Sequence, residues 1–165
     1  MRRLILLRHA KSDYPAGVVD HLRPLSERGR RNAATIAERL RAYIAPADTS
    51  VAVVSTAVRA QQTWSIVSQS MDIEHWNDSS LYLAEPMTLL EVASTIDAGV
   101  GIVVGHNPGL EELARAVESP EDLSDVPSGV MLKHKFPTSA FAVLDCECQS
   151  WRVADISCTG FAICR

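Results

Sequence analysis

The sequence alternates short, mainly apolar runs with longer stretches in which apolar residues recur every three or four positions. Short apolar runs bounded by polar or turn residues are typical of buried strands. The predicted strands are residues 3–7, 51–54, 73–76, 100–104, 140–144 and 151–156, of which 73–76 and 151–156 mix apolar with charged residues. The last two predict a closing hairpin or antiparallel pair, because no helical pattern separates them.

The stretches between the other runs carry helix signals. Ser26 is a suitable N-cap, and Glu27 suits the positive end of the helix dipole in the first turn. Apolar residues then continue at helical spacing as far as Ile44, and Pro46 ends this helix. Further helices are predicted over residues 58–70, 87–96 and 108–117.

Buried strands that alternate with helices predict an α/β fold of three layers, α/β/α. Helices are expected on both faces of a mostly parallel central sheet with one antiparallel edge. A length of 165 residues suits one domain, so residues 1–165 are assigned to a single domain. The segment between Thr63 and Val100 has room for one strand and one helix, not for a large cap. Residues 119–135 are polar and contain proline, which predicts a mobile loop.

Composition narrows the possible partners. The net charge is -4 and no long basic block occurs, so no nucleic-acid partner is expected. No segment approaches the ~20 apolar residues of a membrane helix. We therefore expect a cytoplasmic protein without a membrane partner. The cysteine spacings fit no common zinc site, so thiols are expected at Cys146, Cys148, Cys158 and Cys164.

Basic side chains follow the predicted parallel strands at their carboxyl ends. Arg8 and His9 come directly after the first run, His106 follows the fourth, and Arg59 lies early in the helix after the second. In open α/β sheets these strand ends meet at one edge, where ligands bind. Arginines offer paired donors to phosphate oxygens, and a neutral histidine can attack phosphorus. The sequence therefore predicts a phosphoryl-transfer site that needs no metal ion or cofactor.

Four motifs that contain or flank these residues resemble those of the histidine phosphatase superfamily, the phosphoglycerate-mutase-like proteins. They are R-H-A-K-S at 8–12, R-P-L-S-E-R-G at 23–29, S-T-A-V-R-A-Q-Q-T at 55–63 and V-G-H-N-P at 104–108. Their order and spacing agree with the family over most of the chain. Ala10, the D-x-x-R-P-L sequence at 20–25 and the G-H-N-P form resemble the small SixA-like branch, which is associated with phosphohistidine phosphatases.

The resemblance implies a role for each matching residue. His9 would be the nucleophile that becomes phosphorylated. His106, the second histidine, would donate to the phosphoryl oxygens, most usefully when it is protonated. Arg8 and Arg59 would be the other catalytic residues. Ser12 and Asn107 would bind the substrate, and a further donor could come from Thr138 or Ser139.

The proton donor for the leaving group is left open by the sequence. Glu85 lies roughly where many family members carry an acidic residue, although its surroundings do not match the usual motif. Asp13 and Asp20, in the loop after His9, compete for the same role. Arg23 is expected to order that loop by pairing with Asp20 instead of touching the substrate.

The resemblance implies a phosphatase with a covalent phosphohistidine intermediate that acts on phosphohistidine in proteins. A small-metabolite phosphomonoesterase or a phosphoglycerate-type mutase with the same pocket is the first alternative. A non-catalytic phosphate-binding module is the second, and it is weakened by the presence of a nucleophile. The partner is accordingly a phosphorylated protein or a small phosphate compound, and the oligomeric state is left open.

Overall fold

Helices and strands alternate along the chain as the apolar pattern predicts. The structure, a computed structural model, describes residues 1–45, 48–117, 135–147 and 151–165. Its helices and strands, in chain order, are β1 (Arg2–Arg8), α1 (Glu27–Leu40), β2 (Ser50–Ser55), α2 (Val58–Ser68), β3 (Glu74–Asp78), α3 (Pro86–Thr95), β4 (Val100–Gly105), α4 (Gly109–Ala116), β5 (Ala140–Cys146) and β6 (Ile156–Ile163).

The described strands form one sheet in the order β3-β2-β4-β1-β5-β6. The first four strands of the chain are parallel to one another, whereas β5 runs antiparallel to β1 and to β6. This confirms the mostly parallel sheet with an antiparallel edge. Arg8 pairs with Gly105, and Val54 pairs with Val104. The carboxyl ends of β1, β4 and β2 therefore lie side by side.

Alternate side chains of β1 enter two different layers of the core. Leu4 and Leu6 pack with residues of α3 and α4, whereas Ile5 and Leu7 pack with residues of α1 and α2. All four side chains are fully buried. Burying one such side chain contributes roughly 1.5–3 kcal/mol. The central strand is thus fixed from both faces, and so is the position of the residues that follow it.

Several predicted boundaries change in the structure. The predicted strand at 151–156 is wrong over most of its length, because residues 153–155 form a 3-10 turn and β6 begins at Ile156. Strand β3 lies at 74–78 instead of 73–76. The expected thiols are found at Cys158 and Cys164, which are buried. Cys146, in contrast, takes part in a disulfide bond. Most of the loop predicted at 119–135 lies outside the described residues.

The start of α1 is joined to the loop that follows β1. The Ser26 hydroxyl oxygen accepts a hydrogen bond from the Gly29 amide at 3.0 Å, which confirms the predicted N-cap. The Ser26 amide and hydroxyl both donate to the carbonyl oxygen of Lys11, at 2.9 and 3.0 Å. Gly29 packs against the same carbonyl group. This contact holds the backbone two residues beyond His9.

Replacing Gly29 with alanine is expected to destabilise the protein by about 1–3 kcal/mol, the usual effect of overpacking. The added Cβ would overlap the carbonyl oxygen of Lys11. Urea denaturation would measure the change in the free energy of unfolding. Gly99→Ala is the control, since its Cβ would lie 3.6 Å from the nearest atom. Equal stability of Gly29→Ala and the unmutated protein would contradict the prediction.

Candidate active site

The carboxyl ends of β1, β2 and β4 border a cavity of about 190 Å³. The structure brings together there the four residues predicted as catalytic, together with Ser12, Asn107 and Thr138. The described side chains that line the cavity are Arg8, His9, Lys11, Ser12, Tyr14, Arg23, Arg59, Leu83, His106, Asn107 and Thr138. Cationic and neutral polar groups dominate this set, so the cavity suits an anion.

The backbone of His9 is held on both sides. Its amide donates to the Gly105 carbonyl at 3.2 Å, and its carbonyl accepts from the Ser139 amide at 3.1 Å. The next amide, that of Ala10, donates to Thr63 Oγ1 at 2.9 Å. Thr63 belongs to α2, and its hydroxyl in turn donates to the Arg59 carbonyl at 2.7 Å. Thr63, the last residue of the S-T-A-V-R-A-Q-Q-T motif, thus connects the backbone next to His9 to helix α2, which carries Arg59.

The hydrogen bonds of the His9 ring define its tautomer. Nδ1 lies 2.7 Å from the Ala10 carbonyl oxygen, which can only accept, so Nδ1 carries the proton. Nε2 accepts a hydrogen bond from Arg59 Nε at 3.2 Å. The ring is 6% exposed. Burial lowers the pKa of His9 to about 3, and the nearby His106, Arg59 and Arg8 act in the same direction.

Arg59 is the buried cation of the site. It is 4% exposed, and it contacts both histidines and the loop after β1. Nη1 donates to the Asp20 carbonyl at 2.7 Å, and Nη2 donates to Asp20 Oδ2 at 3.0 Å. Nη2 also lies 3.4 Å from His106 Nδ1. One guanidinium therefore links three separate segments of the chain.

His106 faces His9 across the cavity, with ring centroids 5.1 Å apart. Its Nε2 lies 2.8 Å from Ser55 Oγ, and Nδ1 faces Arg59. Burial lowers the pKa of His106 to about 3, and the charge of Arg59 adds to this effect. His106 is therefore neutral in the free site, because a buried ring beside a cation disfavours a proton.

Arg8 and the substrate-binding candidates are anchored at the rim of the cavity. Arg8 Nη1 donates to the Phe136 carbonyl at 2.7 Å, and the side-chain Nδ2 of Asn107 donates to the same oxygen at 2.9 Å. Asn107 Nδ2 also donates to Glu111 Oε2 at 2.8 Å. The Ser12 hydroxyl accepts a hydrogen bond from Arg23. Ser12 and Asn107 thus line the cavity while they also hold their neighbours in place.

The three candidate proton donors do not line the cavity. Asp13 and Glu85 are exposed. Asp20 is held by Tyr82 Oη at 2.6 Å, Arg23 and Arg59, and these hydrogen bonds keep the pKa of its carboxyl well below the usual range. Asp20 also pairs with Arg23 at 2.6 Å, as expected from the sequence, although Arg23 lines the cavity as well. Among the described residues, no Asp or Glu side chain lines the cavity.

Sequence reasoning missed several residues of the site. Ser55, which contacts His106, stands at the carboxyl end of β2, and this position alone was a usable signal. Tyr82 contacts Asp20 and lies against His106, with ring centroids 5.4 Å apart. Tyr14 and Leu83 line the cavity from loops. The loop residues carry no periodic or motif signal, so only their placement in the fold reveals them.

Two further features of the described part of the chain bear on its chemistry. No three His, Cys, Asp or Glu side chains there lie close enough to hold a metal ion. No helix in these ranges has the length and apolar character needed to cross a membrane.

The comparison with known proteins agrees with this geometry. The family profile described as the histidine phosphatase superfamily (branch 1) matches residues 4–82. An uncharacterised protein of Mycobacterium tuberculosis is 38% identical over 140 residues, which cover 84% of this chain and 85% of the relative. The chain belongs to the histidine phosphatase superfamily.

Solved structures of the superfamily place the chain in its SixA-like branch. A candidate phosphohistidine phosphatase SixA from Agrobacterium tumefaciens has a TM-score of 0.75 and 29% identity, covering 98% of this chain and 97% of that one. A candidate SixA from Nakamurella multipartitia has a TM-score of 0.79 and 25% identity, covering 98% and 95%. As a histidine phosphatase, the protein is a phosphatase hydrolase with a phosphorylated substrate.

In the free protein, neither His9 nor His106 is expected to gain a proton between pH 5 and 8, because burial lowers the pKa of both rings. Both rings bind protons more readily in the unfolded chain. The free energy of unfolding should therefore fall as the pH decreases from about 6.5 toward 3.

NMR titration of the imidazole carbons would test this, with His9→Asn and His106→Asn used to assign the signals. Either ring titrating with a midpoint between pH 5.5 and 7.5 would contradict the prediction.

Proposed function

We propose that the protein is a metal-independent phosphatase that uses His9 as nucleophile and removes phosphoryl groups from phosphohistidine in proteins. The arrangement of His9 carries the proposal. Its Nδ1 proton is directed to the Ala10 carbonyl, and its Nε2 lone pair lies beside Arg59 in a cationic cavity. A site that only binds phosphate does not require a histidine nitrogen that is kept unprotonated in this way.

The first step forms a bond between His9 Nε2 and phosphorus while the bond between phosphorus and the leaving group breaks. Arg8 and Arg59 neutralise the charge on the phosphoryl oxygens. A bound dianion also favours protonation of His106, which can then donate to these oxygens. In the second step, water attacks phosphorus and releases inorganic phosphate, and the electron pair returns to His9 Nε2.

The absence of an acidic side chain among the described residues that line the cavity supports the substrate class. An alkoxide is a poor leaving group unless an acid protonates it. A phosphohistidine ring whose other nitrogen carries a proton leaves as neutral imidazole and takes the electron pair of the broken bond. The pocket can therefore support cleavage of a phosphorus–nitrogen bond without a general acid from the protein.

The comparisons support the same substrate class. The Agrobacterium and Nakamurella proteins, which share at least 25% identity with this chain, are described as candidate phosphohistidine phosphatases. Between α2 and β4 the chain forms the short strand β3 and helix α3, which leaves no large insertion between Ser68 and Val100. A side chain presented by another protein can enter such a site more readily than one enclosed by a cap.

His9 is expected to carry a covalent phosphate during turnover, because the unprotonated Nε2 is the nucleophile. Protein quenched during turnover of labelled phosphohistidine protein should hold an acid-labile, base-stable label. His9→Asn should lose the label and reduce kcat at least a thousandfold, roughly the effect of removing a nucleophile. His75→Asn, on the exposed strand β3, is the matched control and should retain both. A His9 variant with near-normal turnover would show that the assignment is wrong.

The protein is expected to hydrolyse a phosphohistidine protein with a higher kcat/KM than alkyl phosphates such as phosphoserine or 3-phosphoglycerate. The reason is that the neutral imidazole leaves without an acid. The assays are run in EDTA, since the proposed chemistry needs no metal ion. A particular alkyl phosphate with an equal or higher kcat/KM would favour a small-metabolite phosphatase. Activity that requires an added divalent ion would refute the metal-independent mechanism.

A further inference from the structure

Two exposed apolar or aromatic side chains line the cavity without a part in the proposed phosphoryl chemistry. Tyr14 is 73% exposed and Leu83 is 53% exposed. They lie in separate loops, one after β1 and one before α3. His9, in contrast, is buried, so these two side chains lie toward the opening of the cavity. Among the described lining residues, they are the only large apolar or aromatic side chains that are exposed.

The ring of Tyr14 is held in place although solvent surrounds most of it. The guanidinium carbon of Arg23 lies 3.4 Å from the ring centroid. Arg23 is itself fixed by Asp20 Oδ1 at 2.6 Å and by the Asp13 carbonyl at 2.9 Å. A cation stacked on a ring holds the ring's orientation. Tyr14 is therefore a preorganised aromatic surface at the mouth of a phosphate-binding cavity.

Leu83 occupies a backbone conformation that its side chain disfavours. Its φ angle is +53°, in the left-handed region, which is uncommon for residues other than Gly, Asn and Asp. The residues on both sides of it are held in place, since the Tyr82 hydroxyl donates a hydrogen bond to Asp20 and the Ala84 carbonyl packs on Gly109. Glycine would fit here with less strain. The leucine side chain is half-exposed, so core packing does not explain it.

An in-line displacement places the leaving group opposite the nucleophile. With His9 buried at the base of the cavity, the leaving group lies toward the opening, where Tyr14 and Leu83 stand. We propose that these two side chains bind the departing ring, an inference that rests on the proposed function. They thereby select a flat heteroaromatic leaving group, the imidazole of phosphohistidine, over leaving groups without a ring.

Two substrates with the same type of scissile bond test this proposal. Free phosphohistidine carries the ring, whereas phosphoramidate has a phosphorus–nitrogen bond and no ring. For phosphohistidine, kcat/KM should fall about tenfold in Tyr14→Ala and about threefold in Leu83→Ala, as expected for the loss of aromatic and apolar contacts. For phosphoramidate, both variants should stay within twofold of the unmutated protein. Tyr14→Phe should retain activity on both substrates.

Two further variants separate recognition from structure. Met87→Ala is the control. Met87 is 66% exposed and lies four residues after Leu83 in the sequence, but it does not line the cavity. It should leave both substrates unaffected. Leu83→Gly relieves the positive φ angle, so its Tm should equal or exceed that of Leu83→Ala, with the same selective loss on phosphohistidine.

The outcomes distinguish this proposal from the function on which it rests. An equal loss on both substrates in Tyr14→Ala would mean that Tyr14 acts by holding Arg23, and would overturn the proposal. Unchanged kcat/KM for phosphohistidine in Tyr14→Ala and Leu83→Ala would overturn it as well. If the unmutated protein hydrolyses an aryl phosphate through His9 but not phosphohistidine, the proposed substrate class is wrong and the selection of imidazole is overturned with it.

Discussion

The buried guanidinium of Arg59 is the constraint on which the site depends. A cation that is 4% exposed is costly unless every donor has a partner. The partners come from the loop after β1, from the end of β1 and from the end of β4, through Asp20, His9 and His106. The chain must therefore bring these three segments to α2, and the sheet order, with β4 between β1 and β2, does so.

The same cation adds to the effects that set the charge state of its neighbours. Burial is the main reason why neither histidine holds a proton in the free site, and the charge of Arg59 acts in the same direction. The hydrogen bond from Tyr82 does most to lower the pKa of the Asp20 carboxyl, and Arg23 and Arg59 act in the same direction. Asp20 is therefore a counter-ion of Arg59. A carboxylate held ionised in this way is a poor general acid at neutral pH.

Much of the fold and the centre of the site could be predicted because their signals are local or topological. The N-cap Ser26 and the apolar run before Arg8 act over a few residues, and parallel strands must end at one edge. The start of β6 could not be predicted, because Trp151 is buried without belonging to a strand. Tyr82 and Leu83 were missed for a related reason, since loop residues reach the cavity only through contacts distant in sequence.

The hydrogen bond between Arg59 and His9 also bears on how the site is activated. In the free protein the lone pair of His9 Nε2 accepts from Arg59 Nε at 3.2 Å, so it is not free to attack. A phosphoryl dianion is a stronger acceptor for an arginine than a neutral imidazole is, because charge-assisted hydrogen bonds are roughly twice as strong as neutral ones. In the proposed mechanism, substrate that enters the cavity would therefore compete for the Arg59 donor. Arg59 would then bind the phosphoryl oxygens and release the lone pair of His9, which would become available only when a phosphorus atom is there to be attacked.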